Sequence, residues 1–441
     1  MRKLTIVSGI CMALSISPAL AEEATNFAEE TLTGDWGGRR TEWAKNGFTL
    51  EGTYKVDYQN NLRGGISKGS RSMTNLDIKM DADLDKLWGW ESTKAYVHIL
   101  DNRGAGVNAD KIGSQMGVSN IEVPLSTSRI FHAWVEKSFM DDQWALLTGL
   151  YPVDSEFSVV DSAGIFLHPA YGASQDLSQT RGPSIFNNSA FGLRLKWQSA
   201  DKSLYAMGAV LDGIPGDPDH PKRTAIHFNK GDGSFSIMEF GWTPNATGDS
   251  HDPTGPEKTL QSMEQKVIEQ YIGHAKLAAG FWRYSNRAED VFDLDANGNP
   301  RKRFSWGGHV LAEKTLFILG DDPARNLTGF FRYTFTDGDS TAIESMTNLG
   351  INVRGLIASR TDDNFGLAWS QGRLGSKYRR AQLRDNGIDT AHAEHAIEMT
   401  YRAPVTPWLA IQPNLQWVSH PGGDSTAKRA TVAGFRLEMQ L

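Results

Sequence analysis

Glu136, Arg194, Arg332, Arg354, Glu398, Arg402 and Arg436 occupy alternate positions of runs whose intervening residues are largely apolar, and Trp134 shares a face with Glu136. A face of mixed sign can pair internally, hydrogen-bond a polar ligand, or select ions where one sign dominates. Asp154, Glu156 and Phe157 form a second group in the irregular stretch after Tyr151. Two carboxylates such as Glu136 and Glu156 could also serve as acid and base at a glycosidic bond, but nothing around them singles them out for it. No nucleophile elbow supports a Ser-His-Asp reading. Asp293-Leu-Asp-Ala-Asn-Gly298 starts like a calcium loop, yet the position that needs a bidentate acid is Phe304, so a tight turn is expected. His392 and His395 lack the flanking acid of a zinc helix motif and read as loop residues. The inventory implies no metal, no cofactor and no catalysis.

A chain of 441 residues could form two or three soluble domains or one large barrel. Arg2 and Lys3 precede an apolar stretch from Leu4 to Ile16, and Ala19-Leu20-Ala21 supplies a small-x-small pattern. Residues 1–21 therefore read as a secretory signal peptide cut after Ala21. Cys11, the one cysteine, would leave with it, so the mature chain has no disulfide and no thiolate. It lies inside the apolar run, which argues against a lipidated N-terminus. Loss of Arg2 and Lys3 removes two positive charges and takes the formal charge from −7 to −9, which speaks against nucleic acid as a partner. No apolar run after the signal is long enough for a transmembrane helix. The mean hydropathy of −0.41 looks soluble, but alternating membrane strands average out in any window.

The elements that must position the charged face alternate with period two. Phe48, Leu50, Gly52, Tyr54, Val56 and Tyr58 oppose Thr49, Glu51, Thr53, Lys55, Asp57 and Gln59, a run longer than most strands of globular proteins. Sixteen such runs are expected, at 48–60, 72–84, 93–103, 128–139, 143–152, 189–198, 202–212, 234–243, 274–285, 304–314, 327–337, 346–357, 363–371, 394–403, 408–419 and 429–441. Those at 93–103, 274–285 and 363–371 alternate poorly. Before the first, residues 22–47 are polar and carry a short helix over 41–47, with Thr41 as cap and Gly47 as stop.

The links sort by length. Most even-to-odd links are short and most odd-to-even links are long, as in an outer-membrane barrel with turns on one side and loops on the other. The link 243–273 breaks the rule, and Leu260, Met263, Val267, Ile268 and Tyr271 predict a small amphipathic helix within it. The long link 286–303 is expected as a loop. The longest irregular stretch joins the fifth and sixth runs, and its anchors include Phe157, Ile165, Phe166, Tyr171 and Phe186. It either folds into the barrel and narrows it, or packs on its own side chains outside. Tyr58, Trp88, Trp90, Trp144, Tyr151, Trp197, Trp242, Tyr401 and Trp408 lie near run ends, where interfacial girdles belong.

Gly34-Asp-Trp-Gly-Gly-Arg-Arg40 resembles the N-terminal signature of the carbohydrate-selective porins of the OprB family. Gly149-Leu-Tyr-Pro-Val-Asp-Ser-Glu-Phe157, Asp161-Ser-Ala-Gly-Ile-Phe166 and Gly182-Pro-Ser-Ile-Phe186 resemble its central block. Glu398-Met-Thr-Tyr-Arg402, Pro407-Trp408, Ile411-Gln-Pro413 and Pro421-Gly-Gly423 resemble its C-terminal block. The resemblance spans nearly the whole mature chain. It implies an all-β, 16-stranded antiparallel outer-membrane β-barrel over 48–441, with the stretch after Tyr151 as an inward-folded third external loop. One departure is the terminal Leu441, where such barrels usually end in an aromatic.

The resemblance also implies passive diffusion of monosaccharides such as glucose, with outer-membrane lipid and the barrel-assembly machinery as the other partners and a homotrimer left open. Sugar hydroxyls suit charged groups, and their flat faces suit aromatics. Trp134, Glu136, Asp154, Glu156, Phe157, Arg194, Arg332, Arg354, Glu398, Arg402 and Arg436 are then candidates to line the pore and touch substrate. The competing role for each is to pair with its neighbours and hold the loop to the wall. A secreted β-rich enzyme acting on glycans and an ion porin without a sugar site are the other functional readings.

Overall fold

A computed structural model describes residues 26–104, 106–244 and 274–441. The signal peptide at 1–21 and the helix expected within 243–273 lie outside the described residues.

Sixteen strands form the wall: β1 (Phe48–Arg63), β2 (Gly69–Asp83), β3 (Thr93–Arg103), β4 (Thr127–Phe139), β5 (Trp144–Tyr151), β6 (Ala190–Gln198), β7 (Leu204–Asp212), β8 (Ser234–Trp242), β9 (Ala275–Leu294), β10 (Pro300–Leu319), β11 (Asp322–Thr336), β12 (Ile343–Arg354), β13 (Asn364–Leu374), β14 (Ala393–Thr406), β15 (Leu409–Ser419) and β16 (Ala430–Gln440). Each pairs antiparallel with its sequence neighbours, and β16 returns to β1 through Asp57 opposite Arg436 and Thr53 opposite Gln440. Closure leaves no sheet edge. Every expected run is a strand.

The alternation is inverted relative to a soluble protein. Leu193, Val210, Phe240, Leu277, Phe331 and Leu349 are exposed on the outside, whereas Asp57, Arg194, Glu239, Arg332 and Glu398 are buried inside. Only a wall with lipid outside and polar contents within rewards that pattern. In β7 and β8 the inward residues are themselves apolar, since Met207, Ala209, Leu211, Phe235 and Ile237 form one cluster with Val153, Phe157 and Leu177 of the long irregular stretch. Contact with an occupying loop, rather than with water, sets the residue type there.

Two local details differ from expectation. The helix before the barrel is Arg39–Lys45, capped by Gly38, so Thr41 lies inside it; Asp35 takes the capping role by accepting from Thr41 N and Oγ1 at 2.9 and 2.8 Å. Gly47, at φ +91°, does end the turn, and a Cβ there would meet Lys86 Cβ at 2.9 Å. The stretch 286–303 is mostly strand rather than loop: β9 and β10 run on to a tight turn in which Asp295 N donates to Asn299 O at 2.8 Å. The helix Ser376–Asn386 braces this extension, with Lys377 Nζ reaching Asp293 at 2.8 Å and the guanidinium groups of Arg380 and Arg384 over the Phe292 ring.

The first described residues secure the seam. Arg40, 2 % exposed, donates to Leu441 O at 2.9 Å and Leu50 O at 2.9 Å, and its guanidinium stacks on Phe27 and Trp36. Leu32 N donates to Gln440 O at 2.8 Å and Leu441 N to Gly52 O at 2.8 Å. The segment before β1 is thus held to the end of β16.

Candidate functional site

The connection from β5 to β6, residues 152–189, is built from short turns at Val153–Ser155, Asp161–Ala163 and Pro169–Tyr171 and one helical turn at Gln175–Ser178. It begins after Tyr151, two residues beyond Gly149, which has φ +142° and where any Cβ would lie 2.2 Å from Ala133 O. Its polar backbone would be costly to bury without partners, and inward side chains of the wall supply them. Glu239 on β8 accepts from Ser158 N at 2.7 Å. Glu313 on β10 accepts from Asp161 N at 3.1 Å, Ser162 N at 2.8 Å and Ser162 Oγ at 2.6 Å. Glu398 on β14 accepts from the successive amides of Leu167 and His168 at 2.8 and 2.9 Å. Arg332 on β11 donates to the carbonyls of Ser158, Ala170 and Gly172 at 2.7–2.8 Å. Gln412 on β15 donates to Ile165 O at 2.6 Å. One loop that bonds to β8, β10, β11, β14 and β15 of a closed ring crosses its lumen.

A second loop, from β3 to β4, also turns inward, which the sequence reading missed. Glu394 on β14 accepts from Gln115 N and Met116 N at 2.9 and 3.0 Å and from Ser114 Oγ at 2.5 Å. Gln416 on β15 donates to Val118 O at 2.8 Å, and Ser119 Oγ donates to Asp57 on β1 at 2.8 Å. The two loops meet where Asn120 N donates to Leu167 O at 2.7 Å. Met116, Val118, Ile121 and Val123 are its buried anchors, the same signal that marked the first loop.

The candidate residues fall into groups. Arg194 forks onto Glu156 through Nε at 2.8 Å and Nη2 at 2.9 Å, and Nη2 also reaches Glu136 at 2.6 Å. Tyr151 donates to the same Glu156. Trp134 and Phe157 pack in the cluster beside this group. Glu136 and Glu156 therefore share one cation. Arg436 forks onto Asp57 at 2.7 and 2.9 Å and also donates to Asn120 at 2.6 Å. Arg402 pairs with Glu438 at 3.1 Å, and Arg354 with Asp362 at 3.1 Å. Arg332 and Glu398 stand apart from these, as the loop clamps just described. Asp57, Glu239, Glu313 and Glu394 were absent from the candidate set, although each is buried and holds a loop.

Two groups on the loop are held in unusual states by burial. Asp154, which accepts from Phe186 N at 3.0 Å, has its carboxyl pushed up to about 6. His168, whose Nδ1 accepts from Ala170 N at 3.2 Å, is pushed down to about 3 and stays neutral. Asp161, His274 and Glu313 gather their ligand atoms within 4.8 Å, but Lys276 Nζ lies 3.6 Å from Asp161, so an ammonium already serves these carboxylates.

Residues 67–441 match the family described as carbohydrate-selective porin, OprB family. Porin B of Pseudomonas aeruginosa is 24 % identical, over 96 % of this chain and 94 % of that one. The putative porin QuiX of Acinetobacter baylyi is 23 % identical, over 100 % and 99 %. A high-pH structure of Pseudomonas putida OprB shares the fold at a TM-score of 0.80 and 20 % identity, covering 94 % of this chain and 100 % of that one. With the family matched across most of its length, the chain belongs to the carbohydrate-selective porins of the OprB family.

Proposed function

We propose that this outer-membrane channel passes small neutral sugars, glucose among them, by passive diffusion through a lumen narrowed by its two inward loops. It is a channel and not an enzyme. The observation that carries the substrate class is the pairing of lumen charge: Arg194 with Glu136 and Glu156, Arg436 with Asp57, and Arg402 with Glu438. Charges of both signs set side by side present hydrogen-bonding groups without a ring of one sign, which suits a polyol better than an ion.

Among the candidates, Glu136 and Arg402 keep partial exposure and are proposed to meet solute, and Asp154, its carboxyl buried on Phe186 N, is proposed to hold the loop. Arg194, Glu156, Phe157, Arg332, Arg354, Glu398 and Arg436 are proposed to act by fixing the bore. Residues 1–21 are proposed as the export signal, removed after Ala21, and 22–47 as a periplasmic segment. Outer-membrane lipid and the assembly machinery follow as partners, and cross-linking in intact membranes would separate a monomer from a homotrimer.

The test is conductance of the purified protein in a planar bilayer, with glucose titrated against the open current. Block by glucose at millimolar levels, and weaker block by a non-sugar of similar size, is the expected result. Channels indifferent to every sugar would leave the barrel and remove the selectivity.

A further inference from the structure

We propose that the outer wall from β10 to β14 holds one anionic phospholipid of the periplasmic leaflet, with its phosphate on Lys314 and an acyl chain in the apolar groove that starts beside Gly329. The site lies outside the lumen and goes beyond the sugar-channel reading. It rests only on the barrel standing in the outer membrane.

The first observation is a cation on the lipid face. Glu313 points inward to the first loop, so Lys314, the next residue of a pleated strand, points out, and it is exposed. Opposite it stand Ala275 on β9 and Gly329 on β11, and two residues away along its own strand lie Ala312 and Leu316. None of these offers a counter-charge, and Lys314 has no ion-pair or hydrogen-bond partner among the described residues. A charge that faces hydrocarbon costs more the deeper it lies, and a long side chain relieves the cost by reaching for the headgroups. Lys314 lies five residues before Leu319, where β10 gives way to a short turn into β11. Short turns face the periplasm in outer-membrane barrels. Along the membrane normal, at the usual strand rise and tilt, the residue is about 12 Å from that end. The headgroups within its reach are those of the periplasmic leaflet.

The second observation is a groove of about 670 Å³ that begins at this lysine. One bank is the register row of Lys314, Gly329, Ile351 and Leu367. The other bank is the next row, Phe331, Leu349, Trp369 and Ile397. Phe331, Leu349, Leu367 and Ile397 are exposed on the outside. Glycine at 329 leaves the first bank without a side chain next to Lys314, and a Cβ there would lie 2.8 Å from Leu316 Cδ1. From β10 to β14 the groove crosses four strand spacings, about 19 Å. One leaflet offers an acyl chain about 15 Å of hydrocarbon depth, half of the bilayer core, so the groove is long enough to take it.

Charge decides the occupant. A second copy of this chain laid on the groove would bury Lys314, and an uncompensated buried charge is strongly unfavourable. An anionic phospholipid brings both parts in one molecule, a phosphate for the ammonium and a chain for the groove.

The experiment is native mass spectrometry of the full-length folded protein released from detergent, with phosphatidylglycerol or phosphatidylcholine added in equal amounts. The wild type should retain one phosphatidylglycerol in preference to phosphatidylcholine. Lys314→Gln should lower that retention about fivefold, the worth of one basic residue at an anionic surface, and Lys314→Arg should keep it. Gly329→Leu, which fills the groove, should lower retention of both lipids. Lys137→Gln removes the same charge from the far side of the ring, where Lys137 donates to Glu91 O, and should change nothing. Heat-modifiable migration confirms that each variant is a closed barrel before it is weighed. Equal retention by the wild type, Lys314→Gln and Gly329→Leu would overturn the proposal, as would a wild type that holds both lipids alike. A dimer or trimer that Gly329→Leu splits, with lipid retention unaltered, would give the groove to a second copy instead. Glucose block is read separately and should be the same in every variant, so failure of the sugar reading would leave this test standing.

Discussion

Arg194 on β6 and Glu156 on the first inward loop form a two-pronged ion pair at 2.8 and 2.9 Å, with Arg194 only 2 % exposed. This pair fixes the loop within a few residues of its departure from β5. Removing one partner strands a buried charge, which costs about 3–5 kcal/mol. Arg194→Met should therefore lower the temperature at which the barrel loses its compact migration on a gel. It should also raise single-channel conductance and current noise as the loop loosens. Unchanged conductance would mean that the remaining clamps suffice to hold the bore.

Glu398 tests the far end of the same loop. Its two oxygens take the amides of Leu167 and His168, and Asn414 Nδ2 adds a third bond at 2.5 Å. Glu398→Ala leaves both amides without partners, at about 1–3 kcal/mol for each buried group. Glu398→Gln keeps one acceptor and should fall between the two. Limited proteolysis of the folded protein within 160–175 should rank wild type, Gln and Ala in that order of increasing cleavage.

Arg40 joins the segment before β1 to Leu441, just past β16, and to Leu50 on β1, through the two backbone carbonyls. Arg40→Ala should destabilise the closed barrel by about 2–4 kcal/mol, from lost charged hydrogen bonds and lost stacking. Heat-modifiable migration measures this directly. Glucose affinity should not move, because none of Arg40's hydrogen bonds reaches either inward loop. A change in affinity without a change in stability would contradict that separation.

Asp154 gives a pH dependence with a definite sign. Its carboxyl is raised to about 6 in the folded protein, against about 4 in an unfolded chain, so the native state holds the proton more tightly. Below about pH 4 both states are protonated and the group is neutral in effect. As pH rises from about 4 to 6 the native state loses stability, and the full penalty persists above that. Asp154→Asn keeps an acceptor for Phe186 N and carries no charge. It should stabilise the protein above pH 6 by on the order of 1–2 kcal/mol and do nothing at acid pH, as read by urea denaturation across pH. Stabilisation at both extremes would point to packing rather than charge.

Much of this architecture was legible because lipid and water impose opposite demands on alternate residues. In β1, Leu50, Tyr54 and Val56 face lipid while Thr53, Asp57 and Gln59 face the lumen, so period two is visible without any neighbour. The signal fades where a loop replaces water. Ile237 and Glu239 both point inward on β8, one into the cluster with Phe157 and one to Ser158 N, so the inward face there is neither polar nor apolar throughout. Glu239, Glu313 and Glu394 escaped notice for that reason: their roles are set by loop backbone amides, which no side-chain pattern encodes. The second inward loop was readable in principle from Met116, Val118, Ile121 and Val123, but its length is unremarkable beside its neighbour's. The extension of β9 and β10 was hidden because its partner, the helix Ser376–Asn386, lies far along the chain.

The pairing of lumen charges predicts weak ion selectivity, and Arg402 with Glu438 offers the cleanest test. The two are 3.1 Å apart, partly exposed, and on strands separated only by β15. Opposite charges this close cancel beyond roughly a Debye length, about 8–10 Å at ordinary salt. The zero-current potential under a KCl gradient should therefore sit near zero for the wild type. Arg402→Gln leaves Glu438 unopposed and should shift the potential toward cation preference. Glu438→Gln should shift it the other way, and the double substitution should return it close to the start. A double variant that kept the potential of one single variant would show that the other charge lies off the ion path. If neither single change moves the potential, the pair lies off that path and contributes only to the stability of the wall.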